Sequence, residues 1–140
     1  MMSLTRIVRI EWRHCDPAGI VYYPRYFSIF DTSTTYLFEK ALGMNKFDFL
    51  KHYDFFGYPM VDTRARFFIP TRFGDDLEMI TTVTEIKRSS FSIEHHLMRN
   101  GQLAVEAFET RVWVGQDPDS PEKMKAKPIP QEVIERLSRA

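Results

Sequence analysis

Residues 5–13 alternate, with Val8, Ile10 and Trp12 on one side and Arg9, Glu11 and Arg13 on the other. A period of two predicts a half-buried strand. The alternation stops at His14-Cys15-Asp16-Pro17-Ala18-Gly19, where proline and glycine mark a loop. The period then changes. Tyr26, Phe27, Phe30, Thr34, Leu37, Phe38 and Ala41 recur at spacings of three and four, which predicts a helix from about Pro24 to Leu42. Pro24 suits its first turn and Gly43 its end. The wide aromatic stripe predicts a helix wrapped on most sides. A shorter amphipathic stretch, about Asn45 to Tyr53, would present Phe47, Leu50 and Tyr53 on one face.

The remainder reads mostly as strand. Residues 59–69 place Val61, Thr63, Ala65, Phe67 and Ile69 on one side, and Gly74-Asp75-Asp76 makes a turn. Residues 77–87 are rich in Thr, Val and Ile, which fit a pleated surface. Lys87-Arg88-Ser89-Ser90 is the next bend. Phe91, Ile93, His95 and Leu97 then share one face, and Asn100-Gly101 is a hairpin signal. Residues 102–114 form a last strand with large apolar groups on both faces: Leu103, Val105, Phe108, Val112 and Trp113. A partner subunit would cover the outer ones. Residues 115–130 hold four prolines and several charges, so they read as a surface loop before a short helix at Gln131 to Ser138. Strand, long helix, short helix and four strands make an α+β domain, a twisted sheet curling around the aromatic helix.

The chain has 140 residues, enough for one domain spanning 1–140. Lys and Arg total 19, as do Asp and Glu, so the formal net charge is zero. A nucleic-acid partner is therefore not expected. The single cysteine, Cys15, excludes a disulfide framework and a multi-thiolate zinc site. No apolar run approaches the ~20 residues of a membrane span. The segment MMSLTRIVRIEW has no uninterrupted apolar core, so no secretory signal is expected and the default location is the cytoplasm.

Phosphate loops, the G-x-S-x-G elbow and the H-E-x-x-H helix are absent. His95 and His96 are neighbours on a strand, so they point to opposite faces and do not chelate one metal together. No metal is expected. The informative run is DPAGIVYYPRYF, from Asp16 to Phe27. It places a carboxylate in a tight loop that enters a helix N-terminus, where free N–H groups and the positive end of the helix dipole gather. Such an end can polarise a carbonyl that gains negative charge during acyl transfer, and an ionised aspartate can attack it or take a proton from water. The other reading of Asp16 is a plain loop or helix cap.

The run DPAGIVYYPRYF, with Asp31 seven residues after Pro24, resembles the 4-hydroxybenzoyl-CoA thioesterase group of the hotdog-fold superfamily. The similarity extends through GYPMVDTRARFFIPTRFGDDL and the EIKRSSF bend and covers nearly the whole chain in order. The resemblance implies a hotdog fold, with a five-stranded antiparallel sheet around a long central helix. It also implies dimers joined edge to edge, often paired into tetramers. It implies an acyl-CoA thioesterase that releases a free acid and coenzyme A and needs no cofactor beyond its substrate.

Matched residue by residue, Asp16 is the catalytic carboxylate, Tyr23 supplies the backbone N–H that holds the thioester oxygen, and Gly19 lets the loop turn. Asp31 lies near the acyl pocket, where it could accept a hydrogen bond from a phenolic hydroxyl. Related short-chain thioesterases often carry His at the Tyr23 position, so Tyr23 favours the 4-hydroxybenzoyl type. Lys87 and Arg88 are candidates for the coenzyme A phosphates, since both side chains suit phosphate, with Ser89 and Ser90 as further donors. Phe67, Phe68 and Phe91 could line an acyl slot or pack the core. A short- or medium-chain thioesterase, a hotdog-fold enoyl-CoA hydratase using His14, and a non-catalytic acyl-CoA binding module remain as alternatives.

Overall fold

Pro24 opens the longest helix of the computed structural model, which describes residues 1–140. This helix, α1 (Pro24–Leu42), ends where Gly43 takes the left-handed conformation at φ +71° and returns its N–H to Glu39 O at 2.9 Å. Before it lies β1 (Ser3–Arg9). After it come α2 (Lys46–His52), β2 (Met60–Phe67), β3 (Asp76–Ile86), β4 (Ser90–Arg99), β5 (Gln102–Val112), β6 (Val114–Asp117), β7 (Ser120–Ala126) and α3 (Gln131–Leu137). The five long strands form one antiparallel sheet in the order β1-β3-β4-β5-β2. Strands adjacent in sequence pair through β3-β4-β5, while β1 and β2 close the two edges.

The inward face of the sheet packs on α1. Phe91, Ile93, His95 and Leu97 of β4 are all buried, as the alternation predicts. Two apolar clusters fill the layer between sheet and helix. One surrounds the helix start and holds Tyr26, Phe30, Leu77, Leu97 and Val105. The other surrounds the helix end and holds Leu37, Phe38, Phe49, Phe91, Trp113 and Val133. Full burial of each such side chain contributes about 1.5–3 kcal/mol, so the two clusters fix where α1 lies on the sheet.

Several expectations change. The first strand ends at Arg9, because residues 12–14 wind into a short 3₁₀ turn that turns Trp12 out to solvent. In α2 it is Phe49 that is buried and Phe47 that is exposed, since the helix docks beside Phe38 and Phe55. Arg25, Ser28, Asp31, Thr32, Tyr36 and Lys40 leave one face of α1 open, so the sheet wraps only part of it. On β2 only Ala65 is even half-buried, because this edge strand extends past the cover of the helix. Residues 114–126 are a two-stranded ribbon rather than a loop, with Val114 opposite Ala126 and Gln116 opposite Met124. The prolines stand at its turn and ends, where a missing N–H removes no ladder bond.

Candidate active site

The loop between the 3₁₀ turn and α1 folds back on itself. Cys15 bridges to Val21, Asp16 N–H donates to Ile20 O at 3.0 Å, and Gly19 N–H donates to Asp16 O at 2.9 Å. Gly19 takes φ +79°, a conformation that disfavours any side chain, and its carbonyl accepts from Phe73 N at 2.9 Å. The loop is thereby tied to the segment ahead of β3. Asp16 Oδ1 accepts from Ala18 N at 2.9 Å. The carboxylate does cap the loop, and the same bond fixes its direction while Oδ2 makes no bond within the protein.

At the start of α1, Tyr22 N donates to His14 O, Arg25 N to Tyr22 O and Tyr26 N to Tyr23 O. Pro24 has no N–H. The Tyr23 amide has no partner in the chain, and no side chain caps it. Tyr26 OH shares a 2.6 Å hydrogen bond with Thr71, and Val21 N donates to Thr71 O, so the helix start is anchored to the stretch after β2. Beside it lies an apolar cleft of about 270 Å³, lined by Val21, Tyr23, Tyr26, Phe67, Phe68 and Ile69. That is near the small end for a ligand pocket. Phe67 and Phe68 line this cleft. Phe91 does not, because it lies in the core against Phe38 and Tyr58. Asp16 does not border this cleft. A larger polar cavity of about 460 Å³ lies between β1 and α1 among Arg6, Arg9, Arg13 and Arg25. Neither Asp16 nor Tyr23 reaches it, so the smaller apolar cleft is the better candidate for an acyl group.

Asp31 stands on the open face of α1, two steps of four residues beyond Tyr23, with Phe27 between. It is not an isolated exposed carboxylate. Arg111 Nη2 donates to its Oδ1 at 2.8 Å. The Arg111 guanidinium is buried, donates through Nε to Glu109 Oε1 at 2.9 Å, and lies over the Tyr58 ring. Glu109 also accepts from Thr34 Oγ1 at 2.8 Å and lies 2.9 Å from His95 Nε2, whose Nδ1 is 2.9 Å from Thr81 Oγ1. Burial alone would push the Glu109 carboxyl up. The hydrogen bonds from His95 and Arg111 outweigh it and hold the group below the ordinary range. Burial also works against the Arg111 charge, yet Glu109 and Asp31 raise its pKa overall. The alternation of β4 predicts His95 inward, but no spacing in the sequence marks Glu109 or Arg111 as its partners. The only trace was a pair of charged residues on the inward side of an apolar strand.

Lys87 and Arg88 are exposed at the β3–β4 bend, where Lys87 Nζ lies 3.7 Å from Glu85. Ser89 and Ser90 are half-buried, and their carbonyls accept from Trp113 N and Lys87 N. The chain does not bring this bend to Asp16. The Gly19 loop meets the beginning of β3 and the bend follows its end, so the strand's 11 residues, about 33 Å over ten steps of 3.3 Å, separate them. His14 is buried, its Nδ1 accepts from Glu11 N at 2.9 Å, and burial with the neighbouring Arg13 lowers its pKa. It closes a turn and does not line the apolar cleft. On the sheet face away from α1, Glu94, His96 and Glu106 bring ligand-type atoms within 4.8 Å of one another. His96 Nε2 already lies 2.8 Å from Glu94 there.

Comparison with known proteins fits this geometry. Residues 8–137 match the family model described as the thioesterase-like superfamily. The chain is 32% identical over 142 aligned positions, 97% of its length and 98% of the relative's, to 4-hydroxybenzoyl-CoA thioesterase from Pseudomonas sp. strain CBS-3. The solved structure of that enzyme superposes with a TM-score of 0.86, covering 97% of this chain and 99% of that one. A mutant of 4-hydroxybenzoyl CoA thioesterase complexed with 4-hydroxybenzoyl CoA gives 0.87 at 32% identity, over 99% and 100% of the two chains. A gentisyl-coenzyme A thioesterase gives 0.82 at 26% identity, over 96% and 100%. The sheet, the central helix and the loop at its start are thus those of a hotdog fold, and the chain belongs to the thioesterase-like superfamily.

Proposed function

We propose that the protein is an acyl-CoA thioesterase that acts on a hydroxylated aromatic acyl group. The observation that carries the reading is the unpartnered Tyr23 amide beside an apolar cleft, at the end of a loop that holds a carboxylate in one orientation. Relatives named for 4-hydroxybenzoyl and gentisyl thioesters support the substrate class.

The acyl group starts at the apolar cleft beside Tyr23 and runs along the open face of α1 toward Asp31, which stands outside the cleft lining. Eight helical residues rise about 12 Å. Two hydrogen bonds of about 3 Å each leave roughly 6 Å between them, the span of one benzoyl ring with its hydroxyl. The thioester oxygen takes the Tyr23 N–H, and the phenolic O–H donates to Asp31. The carbonyl then gains negative charge where the helix dipole and a free donor already point.

Asp16 supplies the chemistry by one of two routes. As nucleophile, its carboxylate oxygen bonds to the acyl carbon, the C–S bond breaks, coenzyme A thiolate leaves, and water hydrolyses the mixed anhydride. As general base, it takes a proton from water as the water oxygen bonds to the acyl carbon, and the C–S bond then breaks to release coenzyme A thiolate. Single turnover in heavy-oxygen water, followed by mass measurement of the Asp16 peptide, separates them. Label in the carboxylate excludes a purely general-base route.

Lys87 and Arg88 receive the coenzyme A phosphates from the far end of the sheet of a second copy. A homo-oligomer, either dimer or tetramer, is therefore part of the reading. The β2 edge suits the joint, since Met60, Val61 and Phe67 are exposed along an open ladder. No helix is long and apolar enough to cross a membrane. A cytoplasmic setting fits a free thiol at Cys15.

Thiol release from 4-hydroxybenzoyl-CoA, benzoyl-CoA and C4–C12 acyl-CoAs tests the proposal. The highest kcat/KM is expected for 4-hydroxybenzoyl-CoA. A maximum on an aliphatic chain overturns the substrate class. Saturable binding with no thiol release from any of them overturns the enzyme.

A further inference from the structure

The carboxylate of Asp31 is more than half exposed, yet a guanidinium with 6% of its side-chain surface exposed grips it. An exposed aspartate paired with a surface arginine would sample many rotamers and gain little order. Here the arginine has no such freedom. Arg111 Nε is engaged by Glu109, Nη1 donates to Tyr58 O at 3.3 Å, and the plane lies over the Tyr58 ring at 5.4 Å. A guanidinium is a rigid fork, so fixing Nε and Nη1 fixes the direction of Nη2. That third nitrogen meets Asp31 Oδ1, and Oδ2 makes no bond within the protein. Glu109 is itself tied to Thr34 and His95, and His95 to Thr81. A continuous polar chain therefore runs from the centre of the sheet to one outward carboxylate oxygen.

We infer that Arg111 is a positioning residue for acyl specificity, holding Asp31 so that its free oxygen accepts the hydroxyl of an aromatic acyl group. The inference rests on the reading of Asp31 as the hydroxyl acceptor. Arg111 contributes in two ways. It fixes the carboxylate in place before substrate arrives, so binding the hydroxyl orders nothing further. It also sets a fixed positive charge against Asp31 Oδ1, and a carboxylate is an acceptor only. A phenolic O–H satisfies the free oxygen, whereas an unsubstituted ring leaves it facing a C–H. Sites built to receive a hydroxyl discriminate strongly against analogues that lack it.

The test is the ratio of kcat/KM for 4-hydroxybenzoyl-CoA over benzoyl-CoA in wild type, Asp31→Asn, Arg111→Met and Arg111→Lys. General loosening of the fold lowers both substrates together and leaves the ratio alone. Arg111→Lys guards against misfolding, because an ammonium can still neutralise Glu109 but cannot fork to Asp31 at the same time. The ratio is expected to fall about 10- to 100-fold in both Arg111 variants and in Asp31→Asn, the range for losing one charge-assisted hydrogen bond. An Asp31→Asn/Arg111→Lys double variant should lower the ratio no further than either single change. A wild-type ratio near unity, or one that survives Asp31→Asn, overturns the reading of Asp31 and this inference with it. A ratio that collapses in Asp31→Asn but survives in Arg111→Lys overturns the role of Arg111 alone.

Discussion

His95 Nε2 lies 2.9 Å from Glu109 Oε2 in the middle of the sheet, and neither side chain reaches solvent. This contact joins β4 to β5 and places an ionised carboxylate where only apolar groups would otherwise sit. Thr34, His95 and Arg111 all direct donors at it. Removing Glu109 leaves the Arg111 charge without its main partner. Breaking a buried pair from one side costs about 3–5 kcal/mol. Glu109→Ala is therefore expected to lower the urea midpoint strongly at pH 7 with little change in the slope.

The same group sets an acid limit. Burial pushes the Glu109 carboxyl up, but hydrogen bonds from His95 and Arg111 bring it below its ordinary value. A folded-state pKa below the unfolded one stabilises at pH values above the unfolded value, about 4.3. That contribution is lost as pH falls through the folded pKa. Wild-type stability should thus drop more steeply below about pH 4 than that of Glu109→Gln, which has no carboxyl to titrate there. Urea midpoints taken from pH 7 to pH 3 check this, and parallel curves would contradict it.

Asp16→Asn preserves the acceptor that Ala18 N–H uses and removes the charge. The loop should hold its shape while chemistry fails. Expected is a kcat lower by about 10²–10⁴-fold with an unchanged melting temperature. Full turnover by this variant would remove Asp16 from the mechanism.

On the proposed reading the Tyr23 contribution is a backbone one, and two substitutions separate it from the side chain. Tyr23 has φ −52°, within proline's range, so Tyr23→Pro removes the N–H while keeping that angle. Loss of one oxyanion donor typically costs about 10²–10³ in kcat. Tyr23→Phe keeps the amide and should retain most of the activity. Far-ultraviolet circular dichroism confirms that α1 survives in both. Equal losses in the two variants would assign the effect to the phenol instead.

The sequence carries local features well and distant ones poorly. The loop from Asp16 to Tyr23 is contiguous, so spacing alone shows a carboxylate in the loop that precedes the helix. The alternation in Phe91, Ile93, His95 and Leu97 is equally local, and those side chains do point inward. Arg111 and Asp31 are 80 residues apart and meet only because β5 passes beneath α1. No period encodes that meeting. The ribbon at 114–126 was hidden for a different reason, because Pro118 and Pro121 around its turn outweigh the weak alternation of Lys123, Met124 and Lys125. On β2, alternation shows a strand but does not show that it lies at an edge with little to cover it.

The separation of Asp16 from Lys87 and Arg88 leads to the strongest test of assembly. About 33 Å of β3 lies between them in one chain, so they serve one ligand only when they come from two copies. A chain carrying Asp16→Asn should be nearly inactive. A chain carrying Lys87→Gln and Arg88→Gln should show a raised KM for acyl-CoA and a normal one for the corresponding acyl-pantetheine, which lacks the nucleotide phosphates. Co-expressing the two differently tagged chains and purifying the mixed oligomer gives pairs in which one site has lost both functions and the other has lost neither. The intact site should restore wild-type KM at about half the wild-type kcat of a pair. If each chain instead completed its own site, every site in the mixed oligomer would carry one defect, and no wild-type KM component would appear. Restoration of that component therefore depends on Asp16 and the basic bend belonging to different subunits, which a mutation in either chain alone does not reveal.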